Sequence, residues 1–365
     1  IKRSLGDEIH WFKTKNFASS YIYDFIFRAI DHGAIFYCLP DILYSNNNNE
    51  VVEPIAERRI ILQDHIKRNN WDGAVLEGEV SQTLRIKWAM KFKPLVSIII
   101  PFRDKHRLLQ DCVESILQKT NYTNYEIILA DNRSQEQETA RYIQKLAIEE
   151  KKITHIRVDM DFNFSAINNY VASCCKGDYL LFLNNDTEVI NSSWLSEMVM
   201  ELQGPKVGAV GAKLLYADNT IQHAGVIYGV GHVAGHVFRH LHDDCPGHMN
   251  RAGLVQEYLA VTGACLLTKR YIFEKVAGFD AINLAIAYND VDLCMKINKF
   301  GFKVVYTPHS KFYHYESESR PSDLKDEEID RYKRECSFMH EKWGKGNEID
   351  PFQHSNSYSH LRVKY

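Results

Sequence analysis

The sequence predicts an α/β protein built on a doubly wound, mostly parallel sheet that is flanked by helices. From residue 94 onward, short apolar runs rich in β-branched residues alternate with helix-like segments. This alternation is typical of parallel sheets with helical crossovers. Two of the apolar runs lead directly into an aspartate, Asp131 and Asp186. Because right-handed crossovers bring the carboxyl ends of parallel strands to one edge, both acids are expected there.

The predicted elements of this region follow a regular order at first and a looser one later. The first half contains strands at 95–101, 125–131, 153–158 and 179–183, with helices at 108–118, 137–149 and 165–175. The second half contains strands at 207–215, 259–267 and 303–306, with helices at 193–202, 271–276, 290–298 and 326–343. Residues 223–257 are rich in Gly and His without periodicity, which predicts a long functional loop.

The 365 residues are divided here into three parts. Residues 1–92 form an N-terminal α+β extension, 93–320 the α/β domain, and 321–365 a C-terminal helix and tail. The extension is predicted to contain helices at 21–30 and 54–69, a short strand at 34–40, and a basic linker or edge strand at 82–93.

Composition excludes several classes of protein. The net charge of −3 gives no overall attraction to nucleic acid. The eight cysteines include no C-x-x-C pair, which favours a reducing compartment. No apolar run approaches the roughly 18 residues of a membrane span, and no signal peptide opens the chain. Because the chain begins at Ile1 rather than Met, a fragment of a longer protein is one expectation.

Asp186 is the centre of the predicted site. It follows a buried strand and the amides Asn184 and Asn185, and oxygen ligands of this kind suit a hard divalent cation that carries a diphosphate. A simple turn is the alternative for this triplet. Asp131 ends a neighbouring strand and is expected either to accept from the imide of a pyrimidine base or to cap a turn.

The second group of polar residues lies late in the chain. Asp290 opens a helix and is a candidate general base for an acceptor hydroxyl, whereas capping suffices to explain Asp292. A cluster follows the last predicted strand, in which a histidine could complete the shell of a cation and Arg320 suits a diphosphate as a bidentate donor. Its members are His309, His314, Glu316 and Arg320.

The histidine-rich segment admits a metal site or a substrate-facing loop. His232, His236 and His240 are spaced four apart, which on a helix is a metal-ligand spacing. Gly229, Gly231 and neighbouring glycines argue against a helix, so a mobile loop facing the acceptor is favoured. The same glycines do not form a dinucleotide-binding loop, because the strand-to-helix context is absent.

Residues 94 to about 320 resemble family 2 glycosyltransferases with the GT-A fold, in particular the bacterial, rhamnosyltransferase-like branch that builds O-antigen, capsule and related surface polysaccharides. Seven ordered segments carry the resemblance: VSIIIP (96–101), FNFSAINN (162–169), FLNNDTE (182–188), VGAVGAKL (207–214), VTGAC (261–265), NDVDLC (289–294) and HYESESR (314–320).

The resemblance implies a role for each matching residue. The donor nucleotide sugar would be bound by Pro101, Phe102, Arg103, Asp104, Asp131, Asn163, Asn168, Asn184, Asn185 and Arg320. Asp186 would be the metal ligand and His314 would complete the shell of a divalent cation, Mg²⁺ or Mn²⁺. Asp290 would be the catalytic base, and Thr262, Gly263 and Asn289 would lie at the acceptor.

The implied activity is an inverting, metal-dependent transfer of a sugar from a nucleotide-diphosphate donor to a hydroxyl of a glycan or lipid-linked glycan. The implied enzyme is cytoplasmic, with peripheral association at the inner face of the plasma membrane left open. Two positions depart from the family pattern, because Asn184 replaces the first acid of its D-x-D motif and Asn289 replaces a glutamate. Weaker metal binding is therefore expected.

Two other classes of protein are alternatives to a transferase. A non-catalytic carbohydrate-binding or scaffold module with a decayed site stays open because of the two asparagines. A nucleotidyltransferase ranks last, since residues 103–105 contain no glycine for a phosphate loop. In addition, residues 24–40 resemble 290–308, so the first 92 residues resemble the closing half of a similar domain and predict a tandem transferase domain upstream.

Overall fold

The computed structural model describes residues 3–8, 10, 20–36, 54–316, 328–345 and 350–352. The chain divides at Ala89 into two units, each with a core of its own. The described elements of the first unit are α1 (Arg3–Glu8), α2 (Tyr21–Asp31), α3 (Ile55–Arg68), β1 (Gly73–Glu77) and β2 (Leu84–Trp88).

The first unit is small and helical, with one hairpin. Leu62 and Ile66 of α3 pack with Val75 of β1, and β1 pairs antiparallel with β2. The predicted helices are present, and the predicted edge strand at 82–93 is β2. The prediction of a strand at 34–40 was wrong for Ala34–Phe36, which lie outside any strand, and residues 37–40 lie outside the described part. Strand β1 was not predicted.

The second unit begins at Met90 and contains the large sheet. Its strands are β3 (Val96–Phe102), β4 (Tyr125–Asp131), β5 (Ile153–Arg157), β6 (Tyr179–Leu183), β7 (Thr187–Val189), β8 (Val207–Leu215), β9 (Ile221–His223), β10 (Val226–Tyr228), β11 (Ala234–His236), β12 (Gln256–Tyr258), β13 (Cys265–Lys269) and β14 (Lys303–His314). Its α-helices are α4 (His106–Lys119), α5 (Gln137–Glu149), α6 (Phe164–Cys174), α7 (Trp194–Leu202), α8 (Arg270–Lys275), α9 (Asn289–Lys299) and α10 (Ile329–Trp343).

The sheet order is β12-β14-β8-β13-β6-β3-β4-β5, with β7 paired to β14 and β9 to β8. Strands β6, β3, β4 and β5 are parallel, and so are β14 and β8, whereas β13 runs antiparallel between β6 and β8. Every residue of β3 and β6 is buried, as expected for strands covered by helices on both faces. The predicted α/β sheet flanked by helices is confirmed.

Three predictions about the second half of this unit need correction. The strand predicted at 259–267 is β13, which begins only at Cys265. The strand predicted at 303–306 continues as β14 to His314. Residues 223–257 are not one irregular loop, because they contain the hairpin β10–β11, a short 3-10 helix (His248–Gly253) and β12. Strands of three residues are too short to show a period of two in the sequence.

Helix α10 packs beside the start of α9 through buried polar contacts. Glu335 accepts hydrogen bonds from the amides of Ile286 and Ala287, both at 3.0 Å. Asp292 on α9 contacts Lys342 (2.6 Å) and accepts from the indole of Trp343 (2.8 Å). The C-terminal helix therefore fixes the backbone that leads into α9. Among the described residues, no helix is long and apolar enough to span a membrane.

Candidate active site

A cleft of about 700 Å³ opens where the carboxyl ends of β3 and β6 meet the start of α9. Its lining includes residues from six segments that are far apart in the sequence. They are Pro101–Arg103 after β3, Asn184–Asp186 after β6, Thr262–Ala264 before β13, Ile286–Val291 at α9, His314 and Glu316 at the end of β14, and His232, Ala234 and His236 of the hairpin β10–β11. This is the edge of the sheet that the sequence predicted.

Asp186 and His314 meet in the middle of the cleft. Oδ1 of Asp186 lies 3.1 Å from Nε2 of His314, and both side chains are almost fully buried. The amide of Asn184 lies 3.3 Å from the same ring nitrogen. Strand β7 pairs with the end of β14, and this pairing brings two segments about 130 residues apart in the sequence into contact. The predicted metal ligands thus lie together.

A hydrogen-bond chain fixes the orientation of the His314 ring. Nε2 of Gln222 donates to the Glu316 carboxylate (3.0 Å), which can only accept when it is ionised. The carbonyl oxygen of Gln222 therefore faces Nδ1 of His314 at 2.6 Å, so Nδ1 donates to it. The lone pair of a neutral His314 is then on Nε2, which both the Asn184 amide and Oδ1 of Asp186 approach. This nitrogen and the Asp186 carboxylate are the candidate ligands of a cation.

The donor set fits a hard divalent ion held mainly by its substrate. It offers one carboxylate, one imidazole and neighbouring amide groups, and Mg²⁺ or Mn²⁺ commonly binds one or two carboxylates plus substrate phosphates. Within the described ranges, no cluster of three or more His, Cys, Asp or Glu side chains is arranged as a metal cage. The residues present therefore suit a cation that arrives with a diphosphate better than a permanently bound metal.

Asp290 lies at the first turn of α9 and lines the same cleft. Its Oδ2 accepts from the amide of Gly263 at 2.7 Å, and its Oδ1 accepts from the amide of Val291 at 2.8 Å. Tyr288, which precedes the helix, has a left-handed backbone with φ of 58° and turns the chain into α9. The carboxylate is thus fixed, and each oxygen keeps a further lone pair for a proton from the cleft.

The residues predicted to bind the nucleotide divide into two groups. Pro101, Phe102 and Arg103 line the cleft. Asp104 and Asp131 are absent from the lining and hold the neighbouring loops together. Asp104 accepts from the amides of Gln135 and Glu136, and Asp131 accepts from the amide of Ser134 at 2.7 Å. The observed contact of Asp131 with the Ser134 amide is therefore that of a turn cap. The next residue, Asn132, does line the cleft.

Asp131 is surrounded by hydrogen-bond donors and one guanidinium group. Burial alone would raise the pKa of its carboxyl, but hydrogen bonds from His155 and Ser134 and the charge of Arg157 outweigh it and lower the pKa. The group therefore stays ionised. Its oxygens contact His155 and Arg157, each at 3.3 Å, rather than a group in the cleft.

The two predicted asparagines of α6 also serve the scaffold. Asn163 caps the helix, accepting from the amide of Ala166 at 2.8 Å, and its amide group donates to Ala281. Asn168 is fully buried and donates to the Phe164 carbonyl at 2.8 Å. Neither lines the cleft, whereas Phe162 and Phe164 beside them do.

The remaining predicted residues lie on the cleft wall with one exception. Asn185, Thr262, Gly263 and Asn289 all line it, and Asn289 donates to the Ile286 carbonyl at 2.7 Å. Arg320 lies outside the described residues.

Several residues of the cleft were not predicted as site residues. Arg239 lines the cleft beside Glu316, and its guanidinium contacts the hydroxyl of Tyr216 and lies 3.6 Å from the Glu316 carboxylate. Tyr288 and Tyr332 close one end, with hydroxyl oxygens 2.7 Å apart. Tyr332 stands on α10, in a segment with no motif, so sequence spacing gave no signal for it.

The histidine-rich segment contributes to the cleft in a different way from a zinc site. His232 and His236 stand on the hairpin β10–β11 and line the cleft, so their four-residue spacing is not the spacing of one helix face. His236 instead contacts the buried ring of His223, with 3.2 Å between the two Nδ1 atoms. His232 and His236 lie in the cleft, which is consistent with the expected substrate-facing segment. The segment that was predicted to be a mobile loop forms a hairpin at this point.

The large sheet with a cleft at its strand ends has the GT-A fold. Residues 97–276 match the family described as "Glycosyl transferase family 2", and this part of the chain belongs to that family. The overall fold is similar to that of the mannosyltransferase PcManGT from Pyrobaculum calidifontis, solved in complex with GDP-Man and Mn²⁺. The TM-score is 0.52 and the identity 16%, over 83% of this chain and 78% of that one.

Two curated relatives are more similar in sequence. The chain is 40% identical over 299 residues to the uncharacterized protein y4gI of Sinorhizobium fredii, covering 82% of this chain and 33% of that protein. It is 37% identical over 266 residues to the O-antigen biosynthesis protein RfbC of Myxococcus xanthus, covering 72% of this chain and 20% of that protein. The chain therefore spans a third or less of the length of these relatives.

Proposed function

We propose that this chain transfers a sugar, with inversion, from a nucleotide-diphosphate donor to a hydroxyl of a growing bacterial surface glycan. The observation that carries the proposal is the presence of two fixed carboxylates in one cleft. Asp186 lies against the ring of His314, and Asp290 is fixed by the Gly263 amide. With two carboxylates, one can help to bind the leaving diphosphate while the other activates the acceptor.

Asp290 is the general base that activates the acceptor. Its carboxylate takes the proton from the acceptor hydroxyl while that oxygen attacks the anomeric carbon of the donor sugar. The bond from the anomeric carbon to the diphosphate breaks as the new glycosidic bond forms, and the electron pair leaves with the diphosphate. A single displacement inverts the anomeric carbon and requires no enzyme nucleophile. The two amide hydrogen bonds to Asp290 hold the base in place for this step.

The leaving diphosphate is stabilised by positive charge near Asp186 and His314. Asp186 and His314 would hold a divalent cation, Mg²⁺ or Mn²⁺, which when bound supplies positive charge to the diphosphate. The guanidinium groups of Arg103 and Arg239 also line the cleft and suit phosphate oxygens. The similarity in fold to an enzyme solved with GDP-Man and Mn²⁺ supports this assignment.

Of the residues that line the cleft, we assign Pro101, Phe102, Arg103 and Asn132 to the donor. Thr262, Gly263 and Asn289 are assigned to the acceptor. The O-antigen relative supports a surface glycan or its lipid-linked precursor as acceptor. We include in the proposal that the enzyme acts in the cytoplasm, at the inner face of the plasma membrane where such precursors are held.

We also propose that the first unit is the closing part of a preceding transferase domain of the same longer protein. In α2, buried Asp24 pairs with Arg28 at 2.9 Å, four residues on, and in α9 buried Asp292 pairs with Lys296 at 3.3 Å. Gly33 (φ 71°) and Gly301 (φ 82°) follow each pair at the same spacing. A full-length gene sequence without a transferase-like domain upstream would contradict this proposal.

The test is nucleotide release from a panel of UDP-, GDP- and dTDP-sugars with Mn²⁺ or Mg²⁺, followed by NMR of the transferred sugar. Metal-dependent release and an inverted anomeric configuration are expected. Retention of configuration would overturn the mechanism. Absence of release together with sugar binding would favour a non-catalytic carbohydrate-binding module.

A further inference from the structure

The hairpin β10–β11 places an unassigned histidine, His236, in the cleft. The amide of Val226 on β10 donates to Ala260 at 3.0 Å, so the hairpin is bonded to the segment that carries Thr262 and Gly263. This segment leads into β13, which lies between β8 and β6. The charges of Arg239, Asp290 and Glu316 all act on the His236 ring, and Asp290 is the one that bonds Gly263.

A directed chain of hydrogen bonds reaches His236 from the protein interior. The amide of Thr262 donates to Nε2 of fully buried His223 at 3.5 Å. An N–H group can only donate, so this ring nitrogen carries no proton. A neutral His223 then carries its proton on Nδ1, which donates to Nδ1 of His236 at 3.2 Å. The proton of a neutral His236 is therefore on Nε2.

Both rings lie in surroundings that favour the neutral form. Burial lowers the pKa of His223 well below its usual 6.5, and the nearby rings of His236 and His314 act in the same direction. For His236, enclosure by the cleft walls and the charge of Arg239 lower the pKa, while Asp290 and Glu316 oppose them. Neutral rings permit the hydrogen-bond direction described above.

The Nε2–H of His236 is available to a ligand. His236 lines the cleft and stays exposed to it, whereas its Nδ1 edge is turned to buried His223. Among the residues that the structure describes, none forms a hydrogen bond with Nε2 of His236. A neutral N–H donor on a rigid strand, near a general base, suits a hydroxyl oxygen of a sugar.

We propose that His236 binds the acceptor sugar by donating its Nε2–H to a hydroxyl oxygen next to the one that Asp290 deprotonates, with His223 holding it in that tautomer. The proposal rests on the proposed function and deepens it, because it assigns an acceptor contact that no motif marks. The amides of Thr262 and Gly263 are consecutive in the sequence. The first donates to His223, which holds His236, and the second donates to the general base Asp290.

The first test needs no substrate. In ¹⁵N-histidine NMR of the wild-type protein, His223 is expected to be protonated on Nδ1 and His236 on Nε2, each assigned by its absence from the corresponding Gln variant. Protonation of His236 on Nδ1 in the free protein would overturn the proposal.

The second test compares His236→Leu and His236→Gln with His242→Gln, a control at an exposed ring outside the cleft. Transfer to p-nitrophenyl glycosides is measured with the donor that the wild type uses. Loss of one hydrogen bond predicts a rise in the acceptor KM of about tenfold for Leu, partial rescue by Gln, which keeps an N–H donor, and a donor KM within about twofold. A changed donor KM with an unchanged acceptor KM would overturn the proposal.

The failure of the proposed function would be recognised separately. If the wild-type protein releases nucleotide from no donor, the transferase activity is rejected, and saturation-transfer NMR with the same glycosides tests the sugar contact. Contact that is lost in His236→Leu and kept in His242→Gln supports the His236 site. Equal contact in all variants, or none in the wild type, contradicts it.

Discussion

The amide of Gly263 donates to Oδ2 of Asp290 at 2.7 Å, across 27 residues of sequence, and this bond connects the segment before β13 to the first turn of α9. A Cβ at position 263 would lie 3.2 Å from Cβ of Asp290, so glycine allows the close approach of the two segments. The proposed base is therefore held by backbone rather than by another side chain.

Replacing Asp290 with Asn is expected to lower turnover by about 10²- to 10⁴-fold, because the amide cannot take the acceptor proton. The single Asn oxygen can accept from the Gly263 amide, but the Val291 amide then loses its acceptor. A loss of about 1 kcal/mol of stability is therefore expected, with little change in donor affinity. Turnover is measured as nucleotide release with acceptor, and donor affinity by calorimetry. Asp244→Asn, at an exposed carboxylate, is the control. Activity of Asp290→Asn near that of the control would remove Asp290 from the mechanism.

Gly263→Ala should disturb the base without unfolding the protein. The added methyl group meets the Asp290 side chain at 3.2 Å, and a displaced catalytic group can cost up to about 100-fold in rate. The expected change is in kcat, with a small change in thermal stability. Gly73→Ala, which meets Trp88 in the first unit at 3.0 Å, is the matched control and should keep full turnover. Equal kcat values for both variants would count against the role of the 263–290 contact.

Gln222→Leu is expected to weaken Mn²⁺ binding by about 10- to 100-fold, as is typical when a residue that orients a metal ligand is lost. Gln222 fixes the His314 ring through its carbonyl and bonds Glu316 through its amide. Binding is followed by electron paramagnetic resonance of Mn²⁺ with nucleoside diphosphate present. Gln137→Leu, at an exposed position on α5, is the control. Unchanged Mn²⁺ affinity in Gln222→Leu would refute this role for the chain of hydrogen bonds.

Glu335→Ala should destabilise the second unit by about 1–3 kcal/mol, since two buried amides lose their acceptor. The free energy of unfolding is measured by urea denaturation. Glu341→Ala on the exposed face of the same helix should have little effect. A loss of stability that is equal in the two variants would show that α10 is not anchored through Glu335.

Stability should fall as the pH drops below the usual histidine pKa of 6.5, because of His223. Burial lowers the pKa of this ring in the folded state, so only the unfolded chain takes up its proton in that range. This stabilisation is fully present above pH 6.5, the usual histidine pKa, and is lost as the pH falls toward the lower pKa of the folded state. The free energy of unfolding then changes by at most about 1.4 kcal/mol per pH unit. His236, whose pKa is also lowered, acts in the same direction. His223→Gln should flatten the dependence seen in urea denaturation between about pH 5 and about pH 8, and an unchanged slope would contradict the prediction.

The sequence predicted the sheet because long buried strands such as β3 and β6 have uniform apolar patterns. It also predicted that Asp186, His314 and Asp290 lie together, because strand ends and recognisable segments carry them. It did not predict Tyr332, which stands in a charged amphipathic helix with no motif. It did not predict how His223 and His236 pair, since strands of three residues show no period and only tertiary pairing brings the rings together.

The assignments of Asp104 and Asp131 show a further limit. An aspartate at a strand end serves equally as a ligand or as a cap, and spacing does not distinguish the two. In the free protein the observed hydrogen bonds are those of caps, because Asp104 and Asp131 accept from backbone amides of the loop at 134–136. Their proposed contacts with the base and ribose remain predictions.

The measurement that tests the central claim most directly is nucleotide diphosphate release from the donor panel, by wild-type protein and by Asp186→Asn, with and without Mn²⁺. The account predicts release from one class of donor that requires the metal and is lost in the variant. Release that is independent of both the metal and Asp186, or no release and no binding of any donor, would contradict it.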